Sequence, residues 1–479
     1  MKENYAVFDK YKNYKNIFEV RFDLLTDIEP IEKVGEYTNK QVIFTIRTPQ
    51  DGGGKTMDKA VFTQKYKEAV DAGYSYIDVH VPFEDDVYAS SAELDDICEY
   101  ARDRGVSVIR SVHFMNSQPE NLEQIYDQVS DALGDIVKLA VLPEGCHDIL
   151  SLIKLADAKA DSKKVILGMG DYGFPTRILS RRMGSLWTYC SPQQAQIAAP
   201  GHVSPEILED VYGYSNIKID AEIFCVIGNP IMHSKSPHIH NRKLKEHGLN
   251  AVYVPITVDV IDQFFKLADY LNIKGVSVTV PYKEAVVDYC ASISEEVEFT
   301  GACNTLVRAK EAWKGYNTDI QGFLVPFKKF LHNLPLEGTR ILIIGAGGAA
   351  KGIAYGLAKE GAALLIVNRT FDRAKKLADS IGCSALPLDD SSFSAFTEYG
   401  DAFVQTTNCG MLHFENIDPL EGYEFSGKEA LFDIVYNPPV TKIMHRAQKA
   451  GCRTINGDQM LLEQAKVQYF LFTGKNYET

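Results

Sequence analysis

A glycine-rich turn, Gly345-Ala346-Gly347-Gly348, follows the apolar run Ile341–Ile344 and precedes a helical pattern that begins at Ala349. Glycines at this spacing allow a tight turn and let the backbone approach a pyrophosphate, which faces the amides of a helix N-terminus. Alanine stands in the third place of the fingerprint, at Ala350, and the predicted strand and helix lie where the fingerprint requires them. The turn therefore predicts a dinucleotide site.

The residues about 20 positions beyond this turn indicate which dinucleotide binds. An NAD site would place Asp or Glu there, on a ribose hydroxyl, whereas this sequence has Asn368-Arg369-Thr370. A cation at this place can pair with a 2′-phosphate, so the sequence predicts NADP. The residues expected to contact the cofactor are Gly345, Ala346, Gly347, Gly348, Ala349, Asn368, Arg369, Thr370, Arg373 and Gly457.

A hydroxyl-rich loop after an apolar run carries Ser234 and Ser236, which can both face one small polyol or carboxylate. Three histidines lie nearby, at His233, His238 and His240, but no clustered carboxylates or cysteines accompany them. A stable metal site needs such a ligand set, so we expect none here.

Lys283 and Asp319 are candidates for chemistry in the same half of the chain. Lys283 comes directly after the predicted strand Gly275–Val280 and a proline turn, and Asp319 follows a later strand. Carbonyl reduction needs a proton donor to the developing alkoxide and a carboxylate that holds the donor and a substrate hydroxyl. We therefore predict that these two residues act as a pair.

Lys138 lies inside the apolar run Ile136–Ala140 of the N-terminal half, where it points either outward or into the protein. An unperturbed lysine, with a pKa near ~10.4, is almost fully charged at pH 7. We expect burial and neighbouring cations to lower this pKa and to make Lys138 an amine nucleophile toward a ketone. His113 is suited to moving protons at neutral pH, and the nearby arginines suit a substrate that bears a carboxylate.

Predicted strands and helices, which must position these groups, alternate along the chain. In the first 215 residues, short β-branched runs, the last of them Leu186–Cys190, alternate with amphipathic helical patterns. Seven or eight such units favour a closed (β/α)₈ barrel over an open sheet. Either Tyr5–Asp9 forms an abbreviated first strand or the start of the barrel is trimmed. Catalytic groups lie at the carboxyl ends of barrel strands, which selects Glu19, Arg21, Arg47, His113, Lys138 and Arg177.

Two further α/β patterns follow the barrel, so the predicted fold class is α/β throughout. We predict a barrel over 1–215, a substrate-binding α/β domain over 222–335 and a Rossmann nucleotide domain over 336–455. The C-terminal helix, within 456–479, is expected to return to the substrate domain and to carry Gln464 with it.

Composition excludes several classes of function. The chain has 479 residues, 45% of them hydrophobic, and a net charge of −14, which argues against nucleic acid or an anionic membrane as a partner. It has no run of about 18 apolar residues and no signal or transit pattern at its N-terminus. Nine cysteines without a Cys-x-x-Cys pair indicate reduced thiols in a cytoplasmic enzyme that acts on small molecules.

The C-terminal half resembles shikimate dehydrogenase in a series of motifs that occur in the family's order over residues 222–465. They are Gly228-Asn-Pro-x-x-His-Ser234-x-Ser236-Pro, Val278-Thr279-x-Pro-Tyr-Lys283, Gly301-Ala-Cys-Asn304-Thr, Asn317-Thr-Asp319, Asn368-Arg-Thr370, Asp433-x-Val-Tyr436-x-Pro and Gly457-x-x-Met460-Leu461-x-x-Gln464-Ala.

This resemblance implies that Lys283 and Asp319 are the catalytic pair. The residues it implies around shikimate are Ser234, Ser236, Thr279, Asn304, Tyr436 and Gln464. One departure is Ser277, where many members of the family have Asn and the plant fusion enzymes have Ser.

The N-terminal half resembles type I 3-dehydroquinate dehydratase over about 17–205. The motifs are Phe18-Glu19-Val-Arg21-Phe-Asp23, Phe44-Thr-Ile-Arg47 with Gly52-Gly53, Ser111-x-His113, Val137-Lys138-Leu-Ala and Pro200-Gly201. The resemblance implies a Schiff base on Lys138, proton transfer by His113, a substrate carboxylate held by Arg177, and support from Glu19, Arg21 and Arg47. Four residues depart from the family pattern, namely Asp51, Phe114, Ala198 and His202.

Together the two resemblances imply a bifunctional enzyme that dehydrates 3-dehydroquinate and then reduces 3-dehydroshikimate to shikimate with NADPH. One alternative is a quinate/shikimate dehydrogenase with a weak dehydratase. Another is a regulator that senses metabolites with the same domains, although the four retained catalytic residues and the absence of a basic DNA-binding segment oppose it.

Overall fold

The structure is a computed structural model that describes residues 10–11, 17–25, 41–54, 56–82, 91–191, 203–411 and 414–478. Its contacts divide the chain into two compact units. The first comprises residues 1–223, 229–237 and 244–272, and the second comprises 224–228, 238–243 and 273–479. The predicted substrate domain thus contributes residues to both units, and the predicted domain boundaries stay a prediction.

A parallel sheet forms the centre of the first unit. Its strands follow one another in chain order: β1 Phe18–Arg21, β2 Val42–Thr45, β3 Tyr76–His80, β4 Ser107–Phe114, β5 Ile136–Val141 and β6 Lys164–Gly168. The helices of this region are α1 Lys59–Asp71, α2 Ser91–Arg102, α3 Leu122–Asp131, α4 Cys146–Ala158, α5 Gly170–Ile178 and α6 Pro205–Asp210. The described residues thus supply six parallel strands of the expected barrel, and Tyr5–Asp9 lies outside them.

The prediction of a strand at Leu186–Cys190 is wrong. The amide of Leu186 donates to the carbonyl of Lys164, but the carbonyl of Tyr189 accepts from the Arg177 guanidinium instead of from a neighbouring strand. Aromatic residues favour strands, and that preference produced the prediction. In this segment the Trp187 ring instead packs edge-on against Tyr76, with 5.7 Å between the ring centroids.

The 222–335 region of the chain contains a mixed α/β pattern. Its strands are β7 Glu222–Gly228, β8 Ala251–Thr257, β9 Gly275–Val278, β10 Cys290–Ile293, β11 Thr305–Ala309 and β12 Ala312–Tyr316. Its helices are α7 Ser236–Glu246, α8 Ile261–Tyr270, α9 Glu295–Thr300 and α10 Asp319–Phe330. In the second unit these strands adjoin one another in the order β10-β12-β11-β9-β7.

The remainder of the second unit is a doubly wound domain. Its strands are β13 Arg340–Ile344, β14 Ala363–Asn368, β15 Ser384–Pro387, β16 Ala402–Gln405, β17 Ala430–Asp433 and β18 Arg453–Ile455. All pair in parallel, in the order β15-β14-β13-β16-β17-β18, which is the order of a dinucleotide-binding sheet. Its helices are α11 Gly348–Lys359, α12 Phe371–Ile381, α13 Phe393–Phe396, α14 Lys442–Lys449 and α15 Asp458–Thr473.

No helix among the described residues has both the length and the apolar character needed to cross a bilayer. The same residues contain no cluster of three or more His, Cys, Asp or Glu side chains placed to hold a metal ion.

Candidate active sites

The register of the first sheet places several polar side chains on one face. Lys138 on β5 pairs with Ser111 on β4, and Asp78 on β3 pairs with Thr45 on β2. Because side chains alternate along a strand and paired residues share a face, this face also carries His113, two residues beyond Ser111. The other strands add Glu19, Arg21, Thr45, Arg47 and Asp78.

This face opens into a cavity. Its lining includes all six side chains predicted for the barrel: Glu19, Arg21, Arg47, His113, Lys138 and Arg177. Asp51 and Tyr189 contribute to the same lining. The structure thus brings the predicted barrel residues together around one cavity.

Lys138 is buried and its ammonium group lies between two carboxylates. Its Nζ is 2.9 Å from Asp78 Oδ2 and 3.5 Å from Glu19 Oε1, and it lies 4.0 Å from the centre of the Tyr189 ring. Burial and Arg47 each lower the pKa of Lys138, but Asp78 and Glu19 outweigh them and leave this pKa raised. The expectation of a lowered pKa is therefore wrong, because it omitted the carboxylate of Asp78.

Asp78 is a further candidate residue of this site, beyond those predicted from the sequence. Its carboxylate also accepts hydrogen bonds from both terminal nitrogens of the Arg47 guanidinium, at 3.0 Å for Nη1. Burial raises the pKa of Asp78, but Arg47 and Lys138 hold it well below its usual range. A charged residue inside the β-branched run 74–81 was the signal that could have revealed it, as the same signal revealed Lys138.

His113 can serve as a neutral base. Burial and the cations Arg47 and Lys138 lower the pKa of His113 well below its usual value, so its imidazole is uncharged at neutral pH. Its Nδ1 is buried with no hydrogen-bond partner among the described residues. A buried ring nitrogen without a partner can accept a proton or bind a substrate hydroxyl.

The two other arginines of the cavity have different hydrogen-bond acceptors. Arg21 forms two hydrogen bonds with Asp23, at 2.9 and 2.7 Å, whereas Arg177 donates to the carbonyl of Tyr189 at 3.1 Å. Burial lowers the pKa of Arg177 to about 10, and burial raises the pKa of Asp51. Of the departures from the family pattern, Ala198 and His202 lie outside the described residues, as does Pro200-Gly201.

Lys283 and Asp319 form a second lysine–aspartate pair in the second unit. Lys283 Nζ lies 2.6 Å from Asp319 Oδ2, and Asn304 Nδ2 donates to Asp319 Oδ1 at 2.8 Å. Asn304 also donates to Gln464 Oε1 at 3.1 Å, and its own Oδ1 accepts from the amide of Thr318 at 2.8 Å. Four of the predicted residues are thus joined in one hydrogen-bonded chain.

Helix α15 supplies Gln464 and runs from Asp458 to Thr473, within the predicted range 456–479. It packs along α10, whose first residue is Asp319. Gln468, one turn further along α15, accepts from the hydroxyl of Ser277 at 2.8 Å and donates to that of Thr305 at 2.9 Å. Ser277 therefore has a structural partner in this chain.

The other predicted substrate residues are distributed between the units. Ser234 and Ser236 belong to the first unit, where Ser234 Oγ accepts from the amide of Ser236 at 3.2 Å. Thr279 and Tyr436 belong to the second, and the amide of Thr279 donates to the carbonyl of Ile227 at 3.0 Å. Their contacts with substrate stay predictions.

The glycine turn has the shape that a dinucleotide site needs. Gly345 has a φ of +114°, and a Cβ there would lie 2.6 Å from Thr406 Oγ1, so only glycine fits. Gly347 precedes α11 and Gly348 begins it, and a Cβ at either position would meet nothing within 4 Å. The N-terminus of α11 is therefore open to a phosphate.

The residues expected to select the dinucleotide lie at the same edge of the third sheet. β13 and β14 run parallel, with Ile344 opposite Val367, so the turn after β13 and Arg369 after β14 share that edge. Arg369 and Arg373 are exposed, and Asn368 Nδ2 donates to the carbonyl of Thr370 at 2.9 Å. Gly457 precedes α15, and its amide donates to the carbonyl of Val435 at 3.1 Å. Open amides and exposed guanidinium groups fit a dinucleotide that carries a 2′-phosphate.

Three family models match this chain in sequence. They are Type I 3-dehydroquinase over residues 1–219, the Shikimate dehydrogenase substrate binding domain over 226–306 and Shikimate / quinate 5-dehydrogenase over 328–448.

Two curated relatives are similar over nearly the whole chain. The bifunctional 3-dehydroquinate dehydratase/shikimate dehydrogenase of Arabidopsis thaliana is 30% identical over 477 residues, which cover 96% of this chain and 78% of the relative. The shikimate biosynthesis protein AroDE of Chlamydia pneumoniae is 30% identical over 460 residues, which cover 95% of this chain and 90% of the relative.

Among solved structures, a shikimate dehydrogenase from Aquifex aeolicus is 30% identical with a TM-score of 0.51, and the match covers 54% of this chain and 95% of that one. A shikimate dehydrogenase in complex with NADP+ is also 30% identical, with a TM-score of 0.50 over 54% of this chain and 92% of its own.

Proposed function

We propose that this chain, which belongs to the bifunctional 3-dehydroquinate dehydratase/shikimate dehydrogenase family, catalyses both reactions of that name. Its barrel removes water from 3-dehydroquinate, and its C-terminal half reduces the resulting 3-dehydroshikimate to shikimate. The observation that carries the proposal is the presence of two separate lysine–aspartate centres, one in the barrel cavity and one beside Asn304.

In the barrel, Lys138 is the nucleophile. It rests as an ammonium ion, so it must first lose a proton, and the neutral imidazole of His113 is the base available in the cavity. The free amine adds to the substrate ketone. The proton that His113 took up then passes to the hydroxyl of this adduct, which leaves as water and gives an iminium ion, so that His113 is neutral again. His113 then removes a proton from the neighbouring carbon and returns it to the departing hydroxyl, which leaves as water. Hydrolysis of the iminium ion frees the product and Lys138.

Arg177 is the best candidate for holding the substrate carboxylate. Arg177 is buried in the lining of the cavity, and this burial lowers the pKa of Arg177 to about 10. A bound carboxylate would offset that burial cost by a charge-assisted hydrogen bond. Glu19, which accepts from the Thr45 hydroxyl at 2.9 Å, supports Lys138.

In the dehydrogenase, Lys283 donates a proton to the oxygen of the ketone as negative charge develops on it. Asp319 holds the Lys283 ammonium group at 2.6 Å, and Asn304 fixes Asp319 through its other oxygen. The glycine turn and Arg369 hold NADPH, which supplies the hydride when bound. Ser234, Ser236, Thr279, Tyr436 and Gln464 are proposed to contact the ring hydroxyls and carboxylate of the substrate.

All nine cysteines are free thiols, which supports the proposed cytoplasmic location, where disulfides rarely persist.

A coupled assay tests both activities and the cofactor. The full chain is supplied with 3-dehydroquinate and either NADPH or NADH, and the loss of reduced cofactor is followed together with formation of shikimate. We expect turnover with NADPH and at least about tenfold lower kcat/KM with NADH, because Arg369 and Arg373 favour the 2′-phosphate. Cofactor oxidation with added 3-dehydroshikimate but not with 3-dehydroquinate would contradict the dehydratase assignment.

A further inference from the structure

Cys290 and Cys303 lie on either side of one strand, and the backbone of Cys303 is hydrogen-bonded to that of Lys283. Cys290 begins β10, which pairs with β12, and Cys303 stands just before β11, which pairs with the other edge of β12. A Cβ on Gly315, in β12, would lie 2.8 Å from Cys290 Sγ and 3.1 Å from Cys303 Sγ. Both sulfurs therefore fill the space that a side chain at Gly315 would take.

The two thiols differ in access to solvent and in proton affinity. Cys303 is fully buried, whereas Cys290 is partly exposed. The Cys303 thiol donates to the carbonyl of Thr305 at 3.2 Å. The neighbouring Cys303 side chain lowers the pKa of Cys290 despite its partial burial, and the Cys290 side chain and burial raise the pKa of Cys303. Cys290 is therefore the accessible, more readily ionised thiol, and Cys303 is the thiol that retains its proton.

We propose that Cys290 and Cys303 form a dithiol that a hydroperoxide oxidises reversibly to a disulfide. The Cys290 thiolate attacks the outer peroxide oxygen, the O–O bond breaks, and an alcohol leaves after taking up the proton that Cys290 released. The resulting sulfenic acid reacts with the Cys303 thiol, which forms the S–S bond and releases water. The two thiols lose two electrons and two protons in total, and an external thiol reverses the step.

A backbone hydrogen bond joins Cys303 to the dehydrogenase centre. The amide of Cys303 donates to the carbonyl of Lys283 at 2.7 Å, and the next residue, Asn304, fixes Asp319. A disulfide requires an S–S bond of about 2.05 Å and a dihedral angle near 90°. Its formation would reorient Cys303 and disturb the placement of Lys283 and Asn304. We expect oxidation to lower the dehydrogenase kcat about tenfold and to leave the dehydratase unchanged, a consequence that rests on the proposed dehydrogenase function.

The experiment treats the full chain with tert-butyl hydroperoxide and maps its peptides without reduction, before and after dithiothreitol. We expect a linked Cys290–Cys303 peptide pair, two hydrogen masses lighter than the separate peptides, and recovery of dehydrogenase activity after dithiothreitol. Cys290→Ser should keep the basal activity and resist the inhibition. Cys383→Ser, at another partly exposed cysteine outside the pair, should behave like the unchanged chain.

Absence of the linked peptides at a peroxide dose that oxidises methionines would overturn the dithiol. A linked pair with full dehydrogenase activity would refute the coupling to Lys283, as would equal inhibition of Cys290→Ser. A chain that lacks dehydrogenase activity before treatment would contradict the proposed function instead, and peptide mapping would still decide whether the disulfide forms.

Discussion

The chain contains two lysine–aspartate pairs of similar length in very different surroundings. Lys138 and Asp78 lie 2.9 Å apart with 4% and 0% of their side chains exposed. Lys283 and Asp319 lie 2.6 Å apart with 30% and 15% exposed. We assign the first pair to the proposed dehydratase centre and the second to the proposed dehydrogenase centre.

The two pairs differ in exposure because they lie on different kinds of element. Lys138 and Asp78 project from the middle of buried strands, where the opposite charge is needed because an isolated charge is strongly disfavoured in a low dielectric. Lys283 lies in a turn, and Asp319 is the first residue of α10, where the helix dipole favours a negative charge. The buried lysine suits covalent chemistry inside a cavity, whereas the more exposed lysine suits proton donation to a substrate that binds from solvent.

The largest expected effect is the fall in dehydratase activity when the buried amine of Lys138 is removed. Lys138→Ala should lower the dehydratase kcat at least about 10⁴-fold, because removal of a catalytic nucleophile has effects of this order. Dehydrogenase activity with 3-dehydroshikimate should not change, because the lysine–aspartate pair at Lys283 is separate. The matched control is Lys163→Ala, at an exposed lysine in front of β6. Dehydration by the Lys138 variant at more than a hundredth of the normal rate would reject the Schiff base.

The reciprocal change tests the exposed pair. Asp319→Asn should lower the dehydrogenase kcat about 10²- to 10⁴-fold, since Lys283 then loses the carboxylate that holds it for proton transfer. Dehydratase turnover in the same preparation serves as the internal control. If only the KM for 3-dehydroshikimate rises, Asp319 binds substrate and does not take part in proton transfer.

The two pairs have similar N–O distances, but substitution of their aspartates should change the free energy of unfolding by different amounts. Asp78→Asn leaves Lys138 and Arg47 buried with only the more distant Glu19 carboxylate, at 3.5 and 3.7 Å, and should lower the free energy of unfolding by about 3 kcal/mol. Asp319→Asn should cost about 1 kcal/mol or less, because water screens that pair. Urea denaturation followed by circular dichroism measures both changes, and equal losses would refute the contrast in burial.

The smallest expected effect is that of mild acid on the dehydratase. His113 must be neutral to act as a base, and its lowered pKa keeps it neutral as the pH falls through about 6.5, the ordinary value for histidine. The dehydratase kcat should therefore stay within about twofold between pH 8 and pH 6. A fall with a midpoint near 6.5 would place the pKa of His113 at its ordinary value and contradict the effect of Arg47 and Lys138.

Local patterns were sufficient to identify most candidate residues. Lys138 was found because a lysine interrupts an apolar strand, and Gly345 because the turn lies between a predicted strand and helix. Asp78 was missed although it interrupts a strand in the same way. The short strands β15 to β18 were also missed, because runs of three or four residues carry little periodicity. The segment Leu186–Cys190 shows the opposite error: its composition is typical of a strand, so a strand was predicted where the structure has none.

The sequence by itself determined the two chemistries, because residue types and spacings at strand ends are local properties of the chain. Only the tertiary structure decided the electrostatics of each centre. Asp78 is 60 residues from Lys138 in sequence, yet it reverses the direction in which burial alone would shift the pKa of that lysine. Likewise, Cys290 and Cys303 are unremarkable thiols in the sequence, and only the pairing of β12 with both β10 and β11 brings their sulfurs together over Gly315. Interactions between residues far apart in the chain depend on strand register, which a local pattern does not specify.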